Sequence, residues 1–348
     1  MDSGEDIHPK TTSRFGAKTI TMIAAFALAA VMLYFSLRGI EWGQVGRLLR
    51  GAKPLNVVLC CLLATIALYL RAFRWRILLT AETVIGIAIA FWATAAGYFG
   101  NNFLPARAGE FIRTFMISSR TALSKTYVLT TAFAERAADG IALVVITGIV
   151  LLVIPGKTPW LANASKGFAV IGIAGVLFIG LLPRLENLAL AILARLPISE
   201  RIRDRLAHTL EHGLRGLRSF HDGKRLAGFI ALTVVIWCLD ATSAVIGGDA
   251  LGLNMTFPMA FILIAVIGLG SALPSAPGYV GVYQFVCATV LVPFGLSKTD
   301  AIAYSFFAQA LSYFVIGIWG AIGFLQYRKL HAPARKAEIA VPEVSVST

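Results

Sequence analysis

Asn101-Asn102-Phe103-Leu104-Pro105-Ala106-Arg107-Ala108-Gly109-Glu110-Phe111-Ile112-Arg113 follows directly on an apolar run over residues 84–99, at a point where a membrane span would otherwise continue. Proline lacks an amide proton and glycine tolerates unusual dihedrals, so Pro105 and Gly109 are expected to interrupt a helix here. An opened backbone with two arginines and a glutamate is tolerated at bilayer depth only inside protein or beside a wet cavity. A second break, Ser271-Ala272-Leu273-Pro274-Ser275-Ala276-Pro277-Gly278-Tyr279-Val280-Gly281, comes late in the chain. Broken apolar segments in both halves of a chain point to a transporter's binding site.

The composition agrees with a membrane setting. Apolar residues make up 57% of the chain and charged ones only 14%, far from a soluble domain's balance, so the sequence reads as an all-α polytopic membrane protein. Cys60, Cys61, Cys238 and Cys287 lie in apolar segments without metal-ligand spacing and read as packing residues. The net charge of +13 comes from basic residues that flank apolar spans. Anionic lipid headgroups, not nucleic acid, are the expected counterpart. At the N-terminus, Lys10, Arg14 and Lys18 precede an apolar stretch over 19–37 with no small-x-small cleavage site after it. That stretch reads as an anchor that stays.

Apolar runs fall at about 19–38, 55–70, 84–101, 126–154, 167–183, 226–247, 258–273, 279–293 and 301–326. The connections 1–18, 71–82, 105–125, 183–225 and 327–348 hold 23 of the lysines and arginines, and 38–54, 155–166, 248–257 and 294–300 hold seven. The positive-inside rule makes the first set cytoplasmic, with both termini inside. This works if 84–118 dips in and returns to the cytoplasmic side and 258–293 does the same from outside. The expected fold is therefore six full spans plus two re-entrant helical hairpins in an inverted-repeat arrangement. The alternative is that each hairpin arm is a complete span. Residues 19–326 would form one transmembrane domain, with a cytoplasmic tail over 1–18, an amphipathic cytoplasmic connection over 184–225 and a cytoplasmic tail over 327–348.

Two connections carry helical patterns. Trp42, Val45, Leu48 and Leu49 recur at the spacing of a short surface helix. In 199–220, Ile202, Leu206, Leu210, Leu214 and Leu217 form one stripe and five arginines the polar side, as in an interfacial helix. His208-Thr209-Leu210-Glu211-His212 matches an inverted zinc-peptidase signature. It lacks a folded domain and a further acidic ligand, so no metal and no cofactor are expected.

The run 126–154 contains Glu135, Arg136 and Asp139, and 226–247 contains Asp240. At 1.5 Å per residue, Glu135 lies roughly 14 Å from its cytoplasmic end, Asp139 roughly 20 Å and Asp240 about 21 Å. Glu135 and Asp139 share a face, and Arg136 reaches Asp139 three residues on. With Arg107, Glu110 and Arg113 these make three positive and four negative groups. Facing lipid, they would cost on the order of 20 kcal/mol. They must face inward, and the near balance of sign predicts mutual pairing. Gln284 and Gln309 either line the same cavity or join two helices by a hydrogen bond.

These residues resemble the membrane region of bacterial lysylphosphatidylglycerol synthase/flippases and their stand-alone relatives, over nearly all of 19–326. The carriers are Arg71-Ala72-Phe73-Arg74-Trp75-Arg76, Asn102 to Glu110 with Arg113, Glu135-Arg136 with Asp139, and Pro274-Ser275-Ala276-Pro277-Gly278-Tyr279-Val280-Gly281. The resemblance implies an inner-membrane protein that moves a lipid with a polar headgroup between leaflets. Its two-domain members carry a soluble transferase after the membrane part. Here the chain ends about twenty residues past Phe324, so no synthase activity is expected.

The leading expectation is a lipid flippase-like protein of the bacterial inner membrane, not an enzyme, acting on a phospholipid or a polyprenyl-phosphate or glycolipid headgroup. Arg107 and Arg113, with Asn102 and Glu110, would hold the headgroup; helix N-termini and guanidinium forks suit a phosphate. Glu135, Arg136, Asp139 and Asp240 would form the charge network and carry a proton. Pro105, Gly109, Pro274, Pro277, Gly278 and Gly281 would form the gating breaks. Gly156-Lys157-Thr158 lacks the upstream glycine of a P-loop. The partners expected are membrane lipids; a lipid-synthesis enzyme and a second copy of the chain are compatible with the sequence. The rivals are an intramembrane enzyme acting on a lipid phosphate and a scaffold for a glycolipid synthesis complex.

Overall fold

The computed structural model describes residues 14–104, 108–153, 222–270 and 277–330, with isolated positions between 166 and 199. The described residues fold into helices without a strand. In order they are α1 (Arg14–Leu37), α2 (Trp42–Arg50), α3 (Pro54–Leu79), α4 (Ile87–Phe103), α5 (Gly109–Ser118) and α6 (Lys125–Val153). Then come α7 (Gly223–Ala250), α8 (Phe257–Gly270), a 3₁₀ turn (Pro277–Tyr279), α9 (Val282–Leu291) and α10 (Lys298–Leu330). Pro105, Arg107, Pro274, the side chain of Pro277, and residues 200–220 with His208 and His212 lie outside the described residues.

Three of these helices, Pro54–Leu79, Gly223–Ala250 and Lys298–Tyr327, are long and apolar enough to cross a membrane. Helix α3 shows the inside-out distribution that bilayer solvent imposes. Leu55, Val58, Leu62, Ile66, Tyr69 and Phe73 repeat at helical spacing and are exposed, whereas Arg74 on the opposite face is fully buried. The helix also runs nine residues past the end expected at residue 70. Hydropathy places a boundary at the first arginines, and it fails here because those arginines are paired inside the protein.

The long helices pack antiparallel. Helices α3 and α7 run past each other from the Lys53 amide, which donates to the Ala250 carbonyl at 2.9 Å, to Arg74, which donates to Thr233 Oγ1 at 3.0 Å. Asp222 caps α7 by accepting from the Lys224 amide at 2.9 Å. One end of the bundle collects the C-termini of α3, α5 and α10 and the N-termini of α6 and α7. There the Tyr127 hydroxyl donates to the Leu78 carbonyl and Arg120 to the Tyr327 carbonyl. The other end gathers α2 with the ends of α1, α7 and α10. Lys298 donates to the Phe35 and Arg38 carbonyls, and Gln44 to Asp300 at 2.9 Å. Helix α2 buries Val45 there and leaves Trp42 exposed.

Two short hairpins enter this frame from opposite ends. Helices α4 and α5 start and finish at the first end, and α5, with 10 residues, is only about 15 Å long. Their antiparallel packing depends on glycine. A Cβ on Gly100 would come 2.6 Å from Ile112 Cδ1 and 2.8 Å from Gly109 Cα, and one on Gly109 would strike the Gly97 carbonyl. Gly109 is absent from the residues with positive φ, so its part is close approach, not an unusual dihedral. Helices α8 and α9, of 14 and 10 residues, start and finish at the second end.

The hairpin tips meet in the middle of the bundle, where the left-handed region is populated: Gly278 has φ 69°, Tyr279 φ 59° and Gly281 φ 88°. Only 3.1 Å would separate a Cβ on Gly278 from the Asn102 carbonyl. The Gly278 carbonyl accepts from Gln309 at 2.7 Å and from the Tyr313 hydroxyl at 2.5 Å. Gln284 donates to Gln309 at 2.7 Å, so these two glutamines make the helix-to-helix bond. Close approach at the first hairpin makes a direct prediction. Gly100→Ala should lower stability by about 1–3 kcal/mol through overpacking. Gly46→Ala, where a Cβ meets nothing within 4 Å, should leave it unchanged or raise it. Thermal unfolding of both variants in detergent micelles checks this.

Candidate functional site

Eight charged side chains from four helices converge beside the hairpin tips: Arg71 and Arg74 from α3, Glu110 and Arg113 from α5, Glu135, Arg136 and Asp139 from α6, and Asp240 from α7. Four are positive and four negative. The four-residue spacing of Glu135 and Asp139 puts both carboxylates on one helix face, and Arg74 takes them together. Its Nη1 lies 2.6 Å from Asp139 Oδ1, and its Nη2 lies 2.9 Å from Glu135 Oε1. Arg113 stands on the other side of Glu135, with Nη1 2.8 Å from Oε2 and Nη2 2.5 Å from Glu110 Oε2. The Arg113 guanidinium also lies over the ring of Trp75 at 4.5 Å, while the Trp75 indole donates to Thr131 Oγ1 at 3.2 Å. Arg74, Arg113 and Glu135 are at most 1% exposed, a closed knot in which each carboxylate oxygen of Glu135 meets a guanidinium.

The knot loosens toward one side. Glu110 Oε1 receives Arg136 Nε at 3.1 Å and Asn101 Nδ2 at 3.3 Å. Asn101 in turn accepts from the Gly109 amide at 3.0 Å, which ties the start of α5 to α4. Arg136 is 26% exposed along its side chain, with its Nη1 3.8 Å from Asp139. Arg71 pairs with Asp240, and this pair also keeps partial exposure, at 15% and 22%. Both arginines flank the Tyr98 ring, Arg136 at 5.0 Å and Arg71 at 5.9 Å.

The opening on that side is a cavity of about 370 Å³ whose wall includes Arg71, Arg136, Asp240, Asn101 and Asn102, with a largely apolar remainder. Its size suits a small ligand or a headgroup. The cavity reaches both breaks: Asn101 and Asn102 come from the first hairpin, Tyr279 from the second. Among the described residues, Tyr98 Oη and Trp237 Nε1 are buried on this wall without a hydrogen-bond partner. No group of three or more histidine, cysteine or acidic side chains that could hold a metal occurs among the described residues.

The sequence-derived residues separate by position. Glu110, Glu135, Arg136 and Asp139 with Arg113 share one network, and Asp240 joins its edge through Arg71. Asn102 and Arg136 reach the cavity wall. Arg113 is enclosed between Glu110, Glu135 and the Ala132 carbonyl. Arg71 and Arg74 were missing from the charge count because a span ending at residue 70 leaves them in a loop. Their sequence signal is the three-residue spacing on an otherwise apolar helix, opposite acids that needed partners.

Removing Arg74 leaves Glu135 and Asp139 buried with fewer counter-charges. Arg74→Ala should therefore cost about 3–5 kcal/mol, and Arg74→Lys should rescue little because a single ammonium cannot bridge both carboxylates. Arg136→Ala, at the open edge, should cost clearly less. Melting temperatures of the three purified variants give the comparison; equal stability of Arg74→Ala and wild type would contradict the closed knot.

Residues 22–320 match the family described as the lysylphosphatidylglycerol synthase TM region. The chain is 24% identical over 313 residues to the glycosyltransferase AglD of Haloferax volcanii, covering 80% of this chain and 49% of AglD. It thus spans about half the length of that relative. Two UPF0104 membrane proteins of Methanothermobacter thermautotrophicus align along most of their length. One is 22% identical over 312 residues, with 85% of this chain and 91% of the relative covered. The other is 25% identical over 337 residues, with 89% and 94% covered. No solved structure matches the chain. The match across residues 22–320, with its apolar helices and enclosed charges, makes this chain a membrane protein belonging to the lysylphosphatidylglycerol synthase TM region family.

Proposed function

We propose that this protein moves a phosphate-bearing lipid headgroup between membrane leaflets by a flippase-like mechanism. The observation that carries the reading is the cavity where the two hairpin tips meet, with Arg71 and Arg136 on a largely apolar wall. Guanidinium groups suit phosphate oxygens in shape and charge. A headgroup held there is shielded from the hydrocarbon core while its acyl tails stay in lipid. Glu110 positions Arg136, and Arg113 and Arg74 hold the acids that would otherwise draw the cavity arginines inward. Arg107, which lies outside the described residues, is a further headgroup ligand in this reading, and Asn102 on the cavity wall is a polar contact.

The two hairpins act as re-entrant elements facing opposite leaflets, and the Gly278–Tyr279 turn is the point where the path opens or closes. Basic connections favour cytoplasmic termini in a bacterial inner membrane. Setting aside Arg71, Arg74 and Arg113, which pair with acids inside the bundle, leaves twenty basic residues on that side against seven. Without a nucleotide-binding loop, energy comes from an ion gradient, from substrate consumption on one side, or from nothing beyond equilibration. A lipid-synthesis enzyme is a natural partner under such consumption. One rival is an intramembrane enzyme acting on a lipid phosphate, with Asp240 as the acid–base group on the cavity wall; a lipid product altered in a manner dependent on Asp240 would support it.

Reconstitution of the purified protein with fluorescent phospholipids and polyprenyl-phosphate lipids tests the proposal. Wild type should speed leaflet exchange at least ten-fold over empty vesicles, and Arg136→Ala should return it to the background while the protein stays folded and inserted. Exchange unchanged in Arg136→Ala would overturn the assigned headgroup site.

A further inference from the structure

We infer that the cavity takes a glycosylated phosphate headgroup, one in which an uncharged sugar adjoins a single phosphate, and not an ammonium-bearing headgroup. This rests on the translocator reading above and narrows its substrate. Arg71 and Arg136 stand on the described wall with their side chains still partly exposed, which suits the oxygens of a phosphodiester. An ammonium would meet two guanidinium groups and no free acid. Asp240 already pairs with Arg71, and Glu110, Glu135 and Asp139 are enclosed, at most 7% exposed, among arginines. A cationic group placed there would be repelled from the side it must enter.

The rest of the wall has the dual character of a sugar. A pyranose ring presents apolar C–H faces and a rim of hydroxyls. Trp237, Tyr279 and Tyr283 offer aromatic surface within the same cavity, and Asn101 and Asn102 offer amide donors and acceptors. The buried Tyr98 hydroxyl and Trp237 N–H, unpartnered among the described residues, gain partners from sugar hydroxyls. A buried donor left unpaired is costly, so a headgroup that supplies hydroxyls is favoured over one that lacks them. A volume of about 370 Å³ accommodates a phosphate with about one or two sugar residues.

The test measures lipid retention by native mass spectrometry of the full-length protein. The probes are polyprenyl-phosphate mannose, polyprenyl phosphate, phosphatidylglycerol and lysyl-phosphatidylglycerol in equimolar competition, with leaflet exchange of each lipid followed in parallel vesicles. Polyprenyl-phosphate mannose should be retained at least ten-fold over the sugar-free phosphate. Trp237→Phe, which keeps a ring beside Arg71 and loses the N–H, should lower that preference and Trp237→Ala should abolish it, each judged as the ratio of glycosylated to sugar-free lipid retained by the same variant. Equal retention of the glycosylated and sugar-free lipids, or preferential retention of lysyl-phosphatidylglycerol, overturns the inference even where lipids still exchange. Preferential retention of the glycosylated lipid without leaflet exchange upholds the inference and removes the translocator reading. Retention of no lipid removes both.

Discussion

A charge taken out of water and left without a partner costs several kcal/mol, and this chain carries eight charges in one layer of a bundle whose outer surface is apolar. The arrangement holds because each buried acid is shared. Glu135 divides its two oxygens between Arg74 and Arg113, and Arg74 spans from Glu135 to Asp139. Helices α3, α5 and α6 are thereby fixed in register by guanidinium forks whose geometry an ammonium could not reproduce. The glycines of the α4–α5 hairpin serve the same end. Without the close approach at Gly97, Gly100 and Gly109, Glu110 would not reach Arg136 and Arg113 would not reach Glu135.

The balance of four positive and four negative groups then decides what is left for the cavity. Arg74 and Arg113 each bridge two carboxylates and are enclosed, whereas Arg136 and Arg71 keep partial exposure at the wall. The enclosed knot of Arg74 and Arg113 with Glu110, Glu135 and Asp139 joins the helices, while the two partly exposed arginines stand at the cavity wall. The arrangement also brings guanidinium edges to the cavity without exposing a bare charge to lipid. The second hairpin completes the enclosure through hydrogen bonds to the Gly278 carbonyl, so that a turn in left-handed conformation is anchored by Gln309 and Tyr313.

Much of this was legible in the sequence for identifiable reasons. Proline, glycine and charge in an apolar run mark a break because each has a direct backbone or solvation penalty, and both breaks fall where the helices stop. The requirement that intramembrane charges pair with each other also follows from solvation alone. Three things were not legible. The C-terminal end of α3 was hidden because hydropathy treats Arg71 and Arg74 as a loop, and only the partner acids on other helices show otherwise. Which arginine faces the cavity depends on who sits opposite it: Arg113 and Arg136 look alike in sequence and differ by the Glu135 contact. The part played by Gly109 was legible as a break but not as a contact, since the clash it avoids lies with Gly97 twelve residues earlier.

The central claim is that Arg71 and Arg136, and not Arg113, meet the headgroup. An experimental structure of the protein in nanodiscs containing an anionic phosphate lipid tests it most directly. The account predicts phosphate density in the cavity within hydrogen-bonding distance of Arg71 and Arg136, with Arg113 still bound to Glu110 and Glu135. A headgroup seated on Arg113 with its carboxylate contacts broken, or a cavity filled only by acyl chain, would contradict it.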